Sequence, residues 1–127
     1  MSIQIGDKLP HFTAVKQDGT AFDSNSIQNK PVVIYFYPKD NTPGCTTQAC
    51  SFRDAYQDFQ DLGAEVIGVS GDSVSSHQNF QQKHKLPFVL LSDSDRKLRK
   101  LFGVPTALFG LIPGRVTYVF NASGKAI

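Results

Sequence analysis

Pro31-Val32-Val33-Ile34-Tyr35-Phe36-Tyr37-Pro38 runs without a break into Lys39-Asp40-Asn41-Thr42-Pro43-Gly44-Cys45-Thr46-Thr47-Gln48-Ala49-Cys50, and the fold can be read from this stretch. Its first half is β-branched, aromatic and nearly continuously apolar. That is the pattern of a strand buried on both faces, and proline bounds it at each end. Its second half is a loop that enters a helix. Cys45, Ala49, Phe52, Tyr56 and Phe59 recur at steps of four, three, four and three. This stripe predicts one helix to about Leu62, with Gly63 as its C-terminal cap. A buried strand feeding a helix is half of a βαβ unit, and the rest of the chain repeats the alternation.

Upstream, His11-Phe12-Thr13-Ala14-Val15 alternates, Gln17-Asp18-Gly19 supplies a turn, and Thr20-Ala21-Phe22 returns, which predicts an N-terminal hairpin. Asp23 to Lys30 reads as a polar connection. Downstream, Ala64 to Ser70 and Pro87 to Leu91 read as buried strands. Ser73 is placed to cap a helix running to about Lys85, with Val74, His77, Phe80 and Gln81 inward. Asp95 to Phe102 reads as a short helix closed by Gly103, and Arg115 to Phe120 as another strand. Asn121-Ala122-Ser123-Gly124 is a turn, after which Lys125-Ala126-Ile127 looks like the start of a further strand. The expected architecture is an α/β sandwich with a central, partly antiparallel sheet, in one domain over residues 1–127. The pattern stops where a paired strand should begin, so the chain is expected to be truncated at its C-terminus.

Composition narrows the function. The 127 residues are 40% hydrophobic and 19% charged, enough to bury a core. The net charge of +2, with no basic run, argues against a dedicated nucleic-acid binder. No apolar stretch approaches the roughly 20 residues that span a bilayer. Met1 to Pro10 shows neither the basic nor the apolar region of a signal peptide, so a cytoplasmic location is expected. Two cysteines are too few for a disulfide scaffold or a four-thiolate metal site. His11, His77 and His84 are dispersed without metal-ligand spacing, and no cofactor is expected. Lys83, Lys85, Lys97, Arg99 and Lys100 read as a solvated face, Phe52, Tyr56 and Phe59 as core packing, and Arg53 with Asp54 as a surface pair.

The chemistry concentrates in the loop. Thr42 is a plausible N-cap and Pro43 then falls at N1, where proline is favoured. Gly44 is at N2 and Cys45 at N3, inside the first turn, where free N–H groups and the helix dipole favour an anion. A thiol there tends toward the thiolate, its nucleophilic form. The bland alternative is a small buried residue. In a regular helix, residues five apart have Cα atoms about 8.6 Å apart, whereas a disulfide needs less than roughly 7 Å. A Cys45–Cys50 bond would therefore require the turn between them to unwind. Gly44, Thr46 and Thr47 are mediocre helix formers, which makes that inexpensive. A thioredoxin-type pair would have two intervening residues, and here four intervene. Arg115, read without context, is a surface ion-pair residue.

The run Tyr37 to Cys50, followed by Ser51-Phe52-Arg53-Asp54, closely resembles the peroxiredoxins, in particular the bacterioferritin comigratory protein / peroxiredoxin Q subgroup. The family pattern is met by Pro38, Thr42 and Cys45, and the subgroup's second cysteine by Cys50. Gly68-Val69-Ser70 with Asp72-Ser73 and Ser76-His77, Phe102-Gly103-Val104, and Pro113-Gly114-Arg115-Val116-Thr117-Tyr118-Val119 resemble later family segments. The resemblance implies a thioredoxin-like fold and thiol-dependent reduction of peroxides. It makes Cys45 the peroxidatic cysteine and Cys50 the resolving one, joined in an intramolecular disulfide that thioredoxin or a similar dithiol reduces. Thr42 would place a hydroxyl at the thiolate and the peroxide. The Gly44 and Cys45 amides would donate to the oxygens, Arg115 would bring a cation, and Pro38 would shield the sulfur. No metal or organic cofactor is implied. The subgroup continues with a further strand and a C-terminal helix, and its members are often monomers. A bacterial cytoplasm is the expected location, with a mature organellar form as the alternative. A non-enzymatic redox switch using the same disulfide is the rival function. Thr42 and Arg115 discriminate, because a switch has no need of a peroxide pocket.

Overall fold

The computed structural model describes residues 3–27, 29–104, 106–107, 112–113 and 115–127. Gly114, one of the residues carrying the resemblance, lies outside them. Strand β3, Val32–Phe36, is buried at all five positions. Its side chains alternate between two cores, as the two-residue period of a strand requires. Val32, Ile34 and Phe36 pack with Phe12, Phe22, Phe102 and Phe120. Val33 and Tyr35, with Tyr37 just beyond the strand, pack with Cys45, Ala49, Phe80 and Phe88. Each large apolar side chain so buried contributes about 1.5–3 kcal/mol. Both cores are rich in rings, with centroids 5.2 Å apart for Phe36–Phe102 and 4.7 Å for Tyr35–Phe52.

Six strands form the main sheet: β1 (Thr13–Lys16), β2 (Ala21–Asp23), β3, β4 (Glu65–Ser70), β5 (Val89–Ser92) and β8 (Val116–Phe120). Their order is β2-β1-β5-β4-β3-β8. The three central strands are parallel, while β1 pairs antiparallel with β5, and β8 with β3. A separate antiparallel ladder joins β6 (Thr106–Ala107) to β7 (Ile112–Pro113). Helices α1 (Pro43–Asp54), α2 (Tyr56–Asp61), α3 (Val74–His84) and α4 (Lys97–Phe102) complete the fold. This is the thioredoxin-like arrangement that the resemblance implies. Among the described residues, no helix is long and apolar enough to cross a membrane.

Three local expectations need correction. The single helix to Leu62 is two helices. Ala55, at φ −94° and ψ 2°, ends α1, and Asp58 N donates to Ala55 O over 3.0 Å to start the next turn. The apolar stripe survives because Phe59 still meets Phe52, with ring centroids 6.0 Å apart, so side-chain spacing does not reveal the break. Gly63 does take the left-handed conformation at φ 72°, and the Gly63 and Ala64 amides close the helix end on Gln60 O and Phe59 O. Second, α4 starts at Lys97 and not at Asp95. The buried Asp93 carboxylate accepts from Leu98 N and Arg99 N at 2.8 and 3.0 Å. Third, Arg99 does not belong to a solvated face. It is 7% exposed, with its guanidinium 5.8 Å from the centroid of the Phe36 ring. The connection from Asp23 to Lys30 also contains a 3-10 turn at Ser24–Ile27, where buried Ser24 accepts from Phe12 N.

Candidate active site

The loop from β3 to α1 lies at the carboxyl ends of the parallel strands, the usual ligand-binding end of such sheets. Asn41 turns it through a positive φ of 64°, which asparagine tolerates better than most residues. Thr42 is extended and occupies the N-cap position, with Pro43 following, as the sequence predicts. Its hydroxyl, however, neither caps the helix nor meets the sulfur. It donates to Lys39 O at 3.0 Å. The first helical bond runs from Thr46 N to Thr42 O at 2.8 Å, so the Gly44 and Cys45 amides stand outside the helical ladder.

Cys45 is 1% exposed, and Arg115 reaches it from the other end of the chain. Arg115 Nη2 donates to Cys45 Sγ over 3.2 Å, and Nη1 donates to Gln48 Oε1 over 2.6 Å. Register explains the meeting. β8 pairs Val116 with Phe36, so the residue before Val116 lies at the end of β3, where the Cys45 loop begins. Gly44 leaves room for it, since a Cβ there would stand 3.2 Å from Nη2. Among the described residues no carboxylate pairs with Arg115, so its charge faces the sulfur uncompensated and the surface-ion-pair reading fails. Gln48 was not anticipated. Its position three residues after Cys45, on the same helix face, is the signal that could have found it. Pro38 is half-buried at the strand end.

Cys50 lies on the same helix as Cys45, and both thiols are free. Two back-bonds mark the intervening turns: Thr47 Oγ1 donates to Pro43 O and Ser51 Oγ to Thr47 O, each at 2.9 Å. Such bonds bend and loosen helices. The partly buried Cys50 Sγ is 4.0 Å from His84 Nδ1. Arg53 pairs with Asp54 at 3.0 Å, as expected, and also donates from Nη1 to His84 O at 2.8 Å.

Beneath the loop lies a polar network that sequence reading missed. Asp40 accepts from Tyr37 Oη at 2.6 Å and from Ser76 Oγ at 2.9 Å, and it pairs with His77 Nδ1 at 2.7 Å. The other ring nitrogen of His77 donates to Leu91 O at 2.9 Å. Asp40 N donates to Asp72 Oδ2 at 2.8 Å. Burial and the neighbouring Asp40 carboxylate push the Tyr37 phenol well up, which keeps it a donor. Asp40, Asp72 and His77 bring ligand-type atoms within 4.8 Å of one another. Because Asp40 and His77 already spend these atoms on one another and on Tyr37, Ser76 and Leu91, the group reads as a strut holding the loop. On the sheet itself, Tyr35 lies in the same core as Cys45, and its buried hydroxyl has no partner among the described residues. Burial pushes that phenol up as well.

Residues 5–126 match the AhpC/TSA family. Over 119 residues, 94% of the chain, the sequence is 56% identical to a chloroplastic peroxiredoxin Q of Oryza sativa subsp. japonica. The chain spans 55% of that relative and 56% of the chloroplastic peroxiredoxin Q proteins of Suaeda salsa and Populus jackii. Among solved structures, a cysteine-to-serine mutant of the Xylella fastidiosa peroxiredoxin Q superposes with a TM-score of 0.91 at 34% identity, covering 99% of this chain and 84% of that one. A Xanthomonas campestris bacterioferritin comigratory protein, described for its alkyl peroxide reduction activity, superposes with a TM-score of 0.85 at 32% identity, covering 95% and 85%.

Proposed function

The chain belongs to the AhpC/TSA family, and from that premise we propose that it is a thiol-dependent peroxidase reducing hydrogen peroxide and organic hydroperoxides at Cys45. The observation that carries the reading is the uncompensated guanidinium of Arg115 on a buried thiol at a helix start. The Cys45 thiolate attacks the terminal peroxide oxygen. The S–O bond forms as the O–O bond breaks, and water or an alcohol leaves with a proton. Arg115 and the Gly44 and Cys45 amides stabilise the charge that develops on the departing oxygen. Thr42 keeps acceptor lone pairs free for the peroxide while its proton is held by Lys39 O. Pro38 shields the sulfur from bulk water.

Cys50 then attacks the Cys45 sulfenic acid, forming an intramolecular disulfide and releasing water. Because both residues are helical, the turn between them opens at this step. Thioredoxin or a similar dithiol protein returns both thiols. We propose that residues 1–127 act as one domain and as a monomer, since a single chain supplies Cys45, Cys50 and Arg115. The compartment is a reducing one. A bacterial cytoplasm is our first placement, and the chloroplastic relatives make an organellar stroma the alternative.

The test is a peptide mass map after one equivalent of hydrogen peroxide. A Cys45–Cys50 disulfide is expected, with oxidised Cys45 trapped in Cys50→Ser and no peroxide consumed by Cys45→Ser. Rapid turnover by Cys45→Ser would sink the assignment.

A further inference from the structure

We propose that His84 is the base that activates Cys50 for attack on the oxidised Cys45, a role that rests on the peroxidase reading above. Cys50 sits in the middle of α1, beyond the reach of the free N–H groups that favour an anion at Cys45. A thiol without an adjacent base is only a few per cent thiolate at pH 7. What Cys50 has instead is an imidazole nitrogen, His84 Nδ1, 4.0 Å from its sulfur.

The fold holds that pair together. His84 is the last residue of α3, and its ring stands edge-on to Phe80 with centroids 5.2 Å apart. Arg53, one turn beyond Cys50, donates to the His84 carbonyl at 2.8 Å and clamps α1 to α3 at this point. A thiol beside an imidazole occupies the kind of surroundings that make cysteines reactive. The clamp lies on the far side of Cys50 from Cys45. The turn between the two cysteines can therefore open without drawing Cys50 away from its base.

The step balances. The Cys50 proton passes to His84 Nδ1. The thiolate electron pair forms the S–S bond with Cys45 as the S–O bond of the sulfenic acid breaks. The departing hydroxide recovers the proton from the imidazolium and leaves as water. Cys50 is oxidised and the Cys45 sulfenic sulfur is reduced.

Two measurements test this on the full chain. In a Cys45→Ser background, alkylation of Cys50 by iodoacetamide at pH 7 should slow about 10-fold or more in His84→Ala, which removes the proton acceptor beside the sulfur. It should slow equally in His84→Phe, which keeps the packing on Phe80 without a base. With Cys45 present, peroxide consumption in the first turnover should be unchanged in His84→Ala. Disulfide formation should slow about 10-fold, and added imidazole should restore it. Alkylation or disulfide formation within twofold of the parent in either variant overturns the proposal, as does a slow His84→Ala that imidazole fails to rescue. Because alkylation needs no peroxide, it judges His84 even if no form of the protein consumes peroxide, an outcome that would refute the peroxidase reading separately.

Discussion

Removing the guanidinium of Arg115 should cost most of the reactivity of Cys45 while leaving the fold intact. The contact is 3.2 Å from Nη2 to Sγ. Two unit charges at that separation attract by about 1.3 kcal/mol in bulk water and about 5 kcal/mol at an effective dielectric near 20. The sulfur is buried and Arg115 is exposed, so the interaction falls between these limits. A hydrogen bond to a charged group contributes about 1.5–3 kcal/mol net, which lies inside that range and corresponds to about 10- to 150-fold in rate. We therefore expect Arg115→Ala to lower the second-order rate constant for peroxide consumption, followed by stopped flow, by that factor, with an unchanged thermal unfolding midpoint. Arg115→Lys should fall between. It keeps the charge, but one ammonium cannot span both Cys45 Sγ and Gln48 Oε1 as the planar fork does. Gly44→Ala should also fall between, because its Cβ would press on Nη2 and displace the guanidinium. A rate for Arg115→Ala within threefold of wild type would refute the electrostatic account of the site.

Two stability predictions follow from the packing around that loop. Gly68→Ala places a Cβ 2.8 Å from the ring end of Tyr35 and 2.9 Å from Leu90 Cδ2. Tyr35 is stacked between Tyr37 and Phe52 and cannot easily yield, so a loss of about 1–3 kcal/mol is expected in urea unfolding; an unchanged midpoint counts against the close approach. Asp40→Ala strands the buried His77 imidazole and the hydroxyls of Tyr37 and Ser76. It should cost about 1–3 kcal/mol for each group left without its partner in chemical unfolding, whereas Asp40→Asn, which keeps the shape, should cost less. Equal costs for the two would show that the hydrogen bonds to the Asp40 carboxylate contribute nothing beyond packing.

The parts of this protein legible in its sequence are those governed by local physics. The two-residue alternation of Val32 to Phe36 sorts side chains between two cores whatever lies on either side. Thr42, Pro43, Gly44 and Cys45 occupy their helix positions because cap and first-turn preferences act within four residues. The separation of Cys45 from Cys50 follows from helix geometry alone. The two-part α1–α2 segment was not legible, because Ala55 changes the backbone direction without disturbing the apolar spacing. Nor was the rotation of the Thr42 hydroxyl toward Lys39 O, which the turn at Asn41 decides.

Everything that joins distant residues was decided by the tertiary structure. Arg115 reads as a surface cation in isolation and becomes part of the site because β8 pairs with β3 in a register that matches Val116 to Phe36. Asp40 meets His77, and Cys50 meets His84, because α3 crosses the same face of the sheet as α1. Periodicity and propensity carry no information about such meetings. They depend on strand order and register, which are set by the burial of both faces of the sheet at once. The sequence by itself specified the candidate nucleophile Cys45 and its place at a helix start, and tertiary packing chose the cation that faces it, the strut beneath its loop and the imidazole beside Cys50.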